Sequence, residues 1–218
     1  MLDTVILDIG NVLVDFCWEE CLRRLHFSEE VEKQLTECTT GSLKKWQLQD
    51  RGNYDYEELV DLFLEGDHSL EWELRQFLDH WNELAVEYDY AYDWVKRFKD
   101  QGYLVYLLSN YGRYAYDMTS PNFSFLPLID GAVISYQVNL VKPEQKIYKY
   151  LLRKYDIKPE NAVFFDDRQE NVEAAVRLGI HGIEFHNPKQ AYEEFIKLRE
   201  DFPEENTILK PEKSVSIK

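Results

Sequence analysis

Hydrophobic and polar positions change their spacing several times along this chain, and each change marks an element. Thr4-Val5-Ile6-Leu7 is an apolar run about one strand long that stops at a carboxylate, Asp8, with Gly10 just beyond it. The period then becomes helical. Trp18, Cys21, Leu22 and Leu25 fall at i, i+3, i+4 and i+7; Val31, Leu35 and Cys38 mark a second helix, Leu43 and Trp46 a third. Asp55 and Glu58 make a capping-box pattern before Leu59, Leu62 and Phe63, with Gly66 as the stop. Ser69 is placed as the cap of a further helix that buries Leu70, Leu74, Phe77, Leu78 and Trp81, so residues 16–86 are expected to be helical throughout.

Strand and helix alternate after that. A helix with Ala91, Trp94, Val95 and Phe98 inward ends at Gly102, and a strand runs from Tyr103 to Leu108. Further strands are expected at Ala132-Val133-Ile134, Ala162 to Phe165 and His181 to Phe185. Helices are expected after Pro143, along Val172, Ala175 and Val176, and from Ala191 to Leu198. Strands separated by such helices imply an α/β fold, a parallel sheet covered on both faces. The expected domains are a core of residues 1–15 and 87–200, an all-helical insertion of 16–86 after the first strand, and a polar, loosely held tail of 201–218.

Composition narrows the class. With 218 residues and 44% hydrophobic content the chain can bury a full core. A net charge of -16 provides no basic stripe for nucleic acid, and it repels anions at long range, so a phosphate site would have to be made positive locally. Cys17, Cys21 and Cys38 show no zinc-like spacing and read as reduced thiols of a cytoplasmic protein. Neither a membrane span nor a signal peptide is visible in the pattern.

Four chemical groups fall at the ends of four expected strands. Asp8 follows the first, Ser109 and Asn110 the second, Lys142 precedes Pro143 at the head of a helix, and Asp166 and Asp167 follow Phe165, with Asn171 four residues further on. In open α/β sheets ligands bind at strand tips, where loops and helix N-termini converge. Carboxylates gathered there raise one another's pKa unless a cation joins them, and hard oxygen ligands suit magnesium. Lys and Ser opposite such a metal supply the neutralisation and positioning that a transferring phosphoryl group needs.

Taken together, Leu7-Asp8-Ile9-Gly10-Asn11-Val12, Leu108-Ser109-Asn110, Lys142-Pro143-Glu144 and Phe165-Asp166-Asp167 with Asn171 resemble the four motifs of the haloacid dehalogenase superfamily, with Arg51-Gly52 and Arg177-Leu178-Gly179-Ile180 as further matches. The resemblance runs from about residue 3 to about 186 and is greatest to the subgroup of bacterial α-D-glucose-1-phosphate phosphatase. It implies a three-layer Rossmann-like core with a helical cap. It also implies a magnesium-dependent phosphatase acting on a small phosphorylated metabolite, such as a sugar phosphate, as a monomer or homodimer.

Asp8 would become an aspartyl phosphate, and magnesium would be held by Asp8, the Gly10 carbonyl, Asp167 directly and Asp166 directly or through water. Ser109 and Lys142 would hold phosphoryl oxygens, and Asn110 would contact substrate or position loops. One departure stands out. Family phosphatases usually carry an acid–base Asp where this chain has Gly10, although that subgroup tends to have Gly as well, and such catalysis is worth about 10²–10⁴-fold. Asp15, His26 and His80 are candidate replacements, and an anomeric leaving oxygen would need less assistance. A weak phospho-ligand binder is the alternative; a metal-independent dehalogenase sits poorly with the acidic pair. Trp18, Trp46, Tyr54 and Tyr56 of the insertion are expected to be core residues rather than a sugar-stacking face.

Overall fold

A computed structural model of the protein describes residues 1–202. Five strands, β1 (Thr4–Leu7), β4 (Leu104–Ser109), β5 (Gly131–Ile134), β6 (Ala162–Asp166) and β7 (His181–Glu184), form one parallel sheet in the order β5-β4-β1-β6-β7. Two short strands, β2 (Val14–Phe16) and β3 (Ala85–Glu87), pair antiparallel in a separate ribbon. The residues around 16 and 86 are therefore strand, which corrects the expectation of helix throughout that stretch.

Between the ribbon strands lie α1 (Trp18–Arg24), α2 (Glu29–Cys38), α3 (Leu43–Arg51), α4 (Tyr56–Leu64) and α5 (Glu71–Asp79). The Asp55–Glu58 capping box forms at α4 with both hydrogen bonds present. Ser69 caps nothing. It sits inside a 3₁₀ turn whose cap is Asp67, because the Asp67 carboxylate accepts from the Ser69 N–H at 3.0 Å. Phe16, Trp46, Phe63, Phe77 and Trp81 stack through this helical layer at centroid distances of 5.6–6.4 Å, the geometry of a packed aromatic core.

The remaining helices are α6 (Ala91–Asp100), α7 (Arg113–Thr119), α8 (Ser135–Val138), α9 (Gln145–Lys154), α10 (Gln169–Val176) and α11 (Pro188–Glu200). Side chains alternate across a strand, so β1 sends Val5 and Leu7 to one face and Ile6 to the other. The first face gathers Val105, Leu107, Val163 and Phe165 under Trp94 and Phe98 of α6 and Phe195 of α11. The second gathers Tyr106, Leu108 and Phe164 under Ile147, Tyr148 and Leu151 of α9 and Ala174 and Ala175 of α10. Burial of an aromatic or aliphatic side chain contributes roughly 1.5–3 kcal/mol, and these two faces hold the three layers together.

Val176, expected inward, is 52% exposed; Ala174 takes the buried position instead. At the end of α11, Phe202 packs against the core and meets the His181 ring at 5.0 Å, so the expected tail is anchored at its first residues. Its remainder, 203–218, lies outside the described residues.

Candidate active site

Register decides what meets at the tip of β1. Leu7 pairs with Leu107 on one side and with Phe165 on the other, which sets Asp8 level with Asp166 and one residue short of Ser109. From β1 the chain moves outward through β4 and β5, then returns to β6 on the other side. The crevice beside Asp8 is thus the point where strand order reverses, the expected place for a ligand. A hydrogen bond from the Asp8 N–H to the Phe165 carbonyl, 2.9 Å, holds the turn to the sheet.

Lys142 is the centre of the polar network. Its Nζ lies 2.8 Å from Asp8 Oδ1 and 2.6 Å from Asp166 Oδ2. Burial disfavours the ammonium, but Asp166 and Asp8 outweigh it and leave the Lys142 pKa raised. The second oxygen of Asp166 accepts from the Arg168 N–H at 2.9 Å and from Asn171 Nδ2 at 2.8 Å. Asp8 Oδ1 also accepts from the Ile9 N–H at 2.7 Å, while Oδ2 takes no hydrogen bond among the described residues.

Asp8 itself is pushed up from the ordinary carboxylate range, chiefly by burial, against the pull of Lys142 and with the push of Asp166 and Asp167. Asp167 is raised as well, again by burial first, and accepts from Asn11 Nδ2 at 2.9 Å. One carboxylate oxygen each from Asp8, Asp166 and Asp167 lies within 4.8 Å of the others, and Asn171 Oδ1 is buried without a partner among the described residues. Crowded carboxylates and an all-oxygen donor set fit a magnesium ion.

The site residues singled out from the sequence converge here, and Asn171 lies among them. Asp8, Gly10, Ser109, Asn110, Lys142 and Asp167 line a cavity of about 170 Å³, and Asp166 sits directly behind Lys142. Ser109 is buried and its hydroxyl makes no hydrogen bond among the described residues. The Asn110 side chain is committed to the Lys142 main chain, donating to its carbonyl at 3.0 Å and accepting from its N–H at 2.8 Å. Of the two roles open to Asn110, this geometry is that of a loop-positioning residue.

Asp15, His26 and His80 do not line the cavity. Helix α3 supplies the other wall through Trp46, Gln49 and Asp50, which the sequence reading left unassigned apart from Trp46. Spacing of i, i+3 and i+4 puts those three on one helical face, where an acid breaking an apolar stripe is the signal that could have revealed them. The Asp50 carboxyl accepts from Gln49 Nε2 at 2.9 Å and is pushed up to about 7, first by burial, with Lys142 pulling down and Asp8 pushing up.

The chain matches the sequence profile of the haloacid dehalogenase-like hydrolases over residues 2–179. Among curated proteins it is similar to bifunctional epoxide hydrolase 2 of Mus musculus, 37% identical over 86 residues that make up 39% of this chain and 14% of that protein. It is also similar to pyrophosphatase PpaX of Bacillus thuringiensis, 31% identical over 106 residues, 48% of this chain and 49% of that protein. The chain spans less than half the length of these relatives. Among solved structures, a HAD family enzyme of Bacteroides thetaiotaomicron in complex with magnesium and inorganic phosphate superposes with a TM-score of 0.66 at 25% identity, covering 84% of this chain and 94% of that one. A HAD-like family hydrolase of Porphyromonas gingivalis gives a TM-score of 0.71 at 23% identity over 91% and 98% of the two chains, a likeness of fold alone.

Proposed function

Because this chain belongs to the haloacid dehalogenase-like hydrolases, we propose that it is a magnesium-dependent phosphatase that hydrolyses a small phosphorylated metabolite, such as a sugar phosphate, through an aspartyl phosphate on Asp8. The observation that carries this reading is the Lys142 ammonium held between Asp8 and Asp166 in the cavity that Ser109 and Asp167 also line. Asp8 Oδ1 is fixed by two donors, so Oδ2 is the oxygen that attacks phosphorus. Lys142 and the Ser109 hydroxyl hold phosphoryl oxygens. Asn110 fixes the loop that presents Lys142.

Magnesium would be held by Asp8, the Gly10 carbonyl, Asp166 and Asp167, and when bound it supplies neutralisation of the phosphoryl charge. Asp167 is the more available of the acidic pair, since Asp166 already accepts from Lys142, Arg168 and Asn171. The insertion of residues 16–86 acts as a cap that brings Trp46, Gln49 and Asp50 over the strand tips and limits water.

The bacillary pyrophosphatases and the magnesium–phosphate complex among the relatives support this direction. The test is hydrolysis of para-nitrophenyl phosphate and a panel of sugar-1- and sugar-6-phosphates, with magnesium and with EDTA. Release should require magnesium, and Asp8→Asn should lower it by more than about 10³-fold. Turnover that survives both EDTA and Asp8→Asn overturns the proposal. Tight ester binding without any turnover identifies a phospho-ligand binder instead.

A further inference from the structure

A phosphatase whose nucleophile is a carboxylate must still deliver a proton to the departing alcohol oxygen, because an alkoxide is a poor leaving group, and must then take one from the incoming water. Position 10, two residues after Asp8, is a glycine and carries no such group. Within the cavity the titratable side chains are few. Asp8 is the nucleophile, and Asp167 faces the carboxylate cluster. Lys142 is ion-paired twice, and the Tyr111 hydroxyl is tied to Thr119 Oγ1 at 2.8 Å. Arg168 offers hydrogen-bond donors and no acceptor. Asp50 remains.

We propose that Asp50, carried into the cavity by α3, is the catalytic acid that protonates the leaving oxygen and the base that later activates water. This rests on the phosphatase reading above. In the first step an Asp8 oxygen bonds to phosphorus, and the phosphorus–ester oxygen bond breaks with its electron pair on the alcohol oxygen. That oxygen takes the Asp50 proton and leaves as the alcohol. In the second step a water oxygen attacks phosphorus while the Asp50 carboxylate takes its proton. The bond to Asp8 breaks, freeing Asp8 and inorganic phosphate, and Asp50 is protonated again.

Geometry supports the assignment independently of ionisation. The end of α3 is fastened to the same segment that carries Lys142. Ser135 Oγ donates to the Asp50 carbonyl at 2.5 Å, Asn139 Nδ2 donates to the Arg51 carbonyl at 2.9 Å, and Arg51 forms an ion pair with Glu144. The acid and the phosphoryl-binding lysine are therefore held in fixed relation. One Asp50 oxygen is oriented by Gln49, and the other takes no hydrogen bond among the described residues. The charged and titratable groups that act on this carboxyl are Lys142, Asp8 and Arg168, with Tyr111 nearby. Burial leads them in keeping a proton on it near neutrality.

The experiment compares wild type, Asp50→Asn and Asp8→Asn of the full chain on alkyl phosphates and on para-nitrophenyl phosphate, whose leaving group needs no proton. Asparagine can still accept the Gln49 hydrogen bond. Asp50→Asn is expected to lower kcat on alkyl esters by about 10²–10⁴-fold. On the aryl ester it should release one equivalent of nitrophenol per enzyme in a burst and then turn over slowly, with a phosphate adduct on Asp8 detected by mass spectrometry. Asp50→Asn that turns over alkyl esters within tenfold of wild type overturns the assignment. So does a variant that binds inorganic phosphate with magnesium as wild type does yet loses both ester activities equally and shows no burst. Failure of the underlying reading is separate: wild type itself would then cleave neither ester with magnesium.

Discussion

The Lys142 side chain is 1% exposed and faces two carboxylates, Asp8 at 10% and Asp166 at 0%. Such a triad contributes little net stability when intact, but removing its cation leaves the Asp8 and Asp166 carboxyls buried without their ion-pair partner. Lys142→Ala is therefore expected to destabilise the metal-free protein by about 3–5 kcal/mol, read from urea unfolding in EDTA. Magnesium bound at the proposed site should return part of that loss in proportion to the logarithm of its concentration, as a ligand of the folded state alone does. Unfolding midpoints equal to wild type in EDTA would show that the ion pairs are not formed in solution. Gly10 belongs to the same scale: a Cβ there would meet nothing within 4 Å, so sterics are no reason for the missing side chain.

Helix α3 touches α7 and its N-terminal turn at a place with no spare room. A Cβ on Gly112 would fall 1.2 Å from Gln49 Oε1, while the Gly112 backbone, at φ -75, suits any residue. The end of Gln49 can swing aside, but the Gln49 carbonyl would lie 2.9 Å from the same Cβ, so Gly112→Ala is expected to turn the Gln49 side chain away and shift α3 slightly rather than strain its own loop. Overpacking of this kind costs about 1–3 kcal/mol, a fall in Tm of about 2–12 °C by calorimetry, together with a raised KM. Docking of this sort is what the sequence hides. The apolar runs at Thr4–Leu7 and Ala162–Phe165 and the Asp55–Glu58 capping box are local patterns, and they were legible. The ribbon was not, because its strands are three residues each and their partners lie some 70 positions apart. Asp50 was missed for a related reason: an acid on a helix reads as solvated until another element covers it. Asp8, Ser109 and Asp166 could be read because each closes or follows a strand; Lys142, expected at a strand end, instead lies in the loop after α8, and only register shows that Asp8 and Asp166 share it.

For the whole molecule, the raised carboxyls fix how stability follows pH. Asp50, Asp8 and Asp167 hold their protons in the folded protein at pH values where the unfolded chain has released them. Between about pH 4, the unfolded value, and about 7, the folded value of Asp50, the unfolded state therefore binds fewer protons, and stability falls as pH rises. The lowered carboxylates Glu57, Asp67 and Glu71 act in the opposite sense only near and below pH 4 to 5. Calorimetry in EDTA should show Tm declining from pH 5 to 7. Magnesium, if held by Asp8 and Asp167 as proposed, should flatten the decline, and Asp50→Asn should remove a further share. A Tm that climbs across this interval would contradict the burial of these acids.

The paired strands Val14–Phe16 and Ala85–Glu87 place the start and finish of the intervening helices side by side, like the two wires of a plug. The outer helices beyond that stem can be lengthened, shortened or exchanged so long as α3 keeps Asp50 in the cavity with Asp8 and Lys142. A scaffold joined this way can admit different molecules by changing the outer part of its lampshade, with α3 and the strand ends left in place.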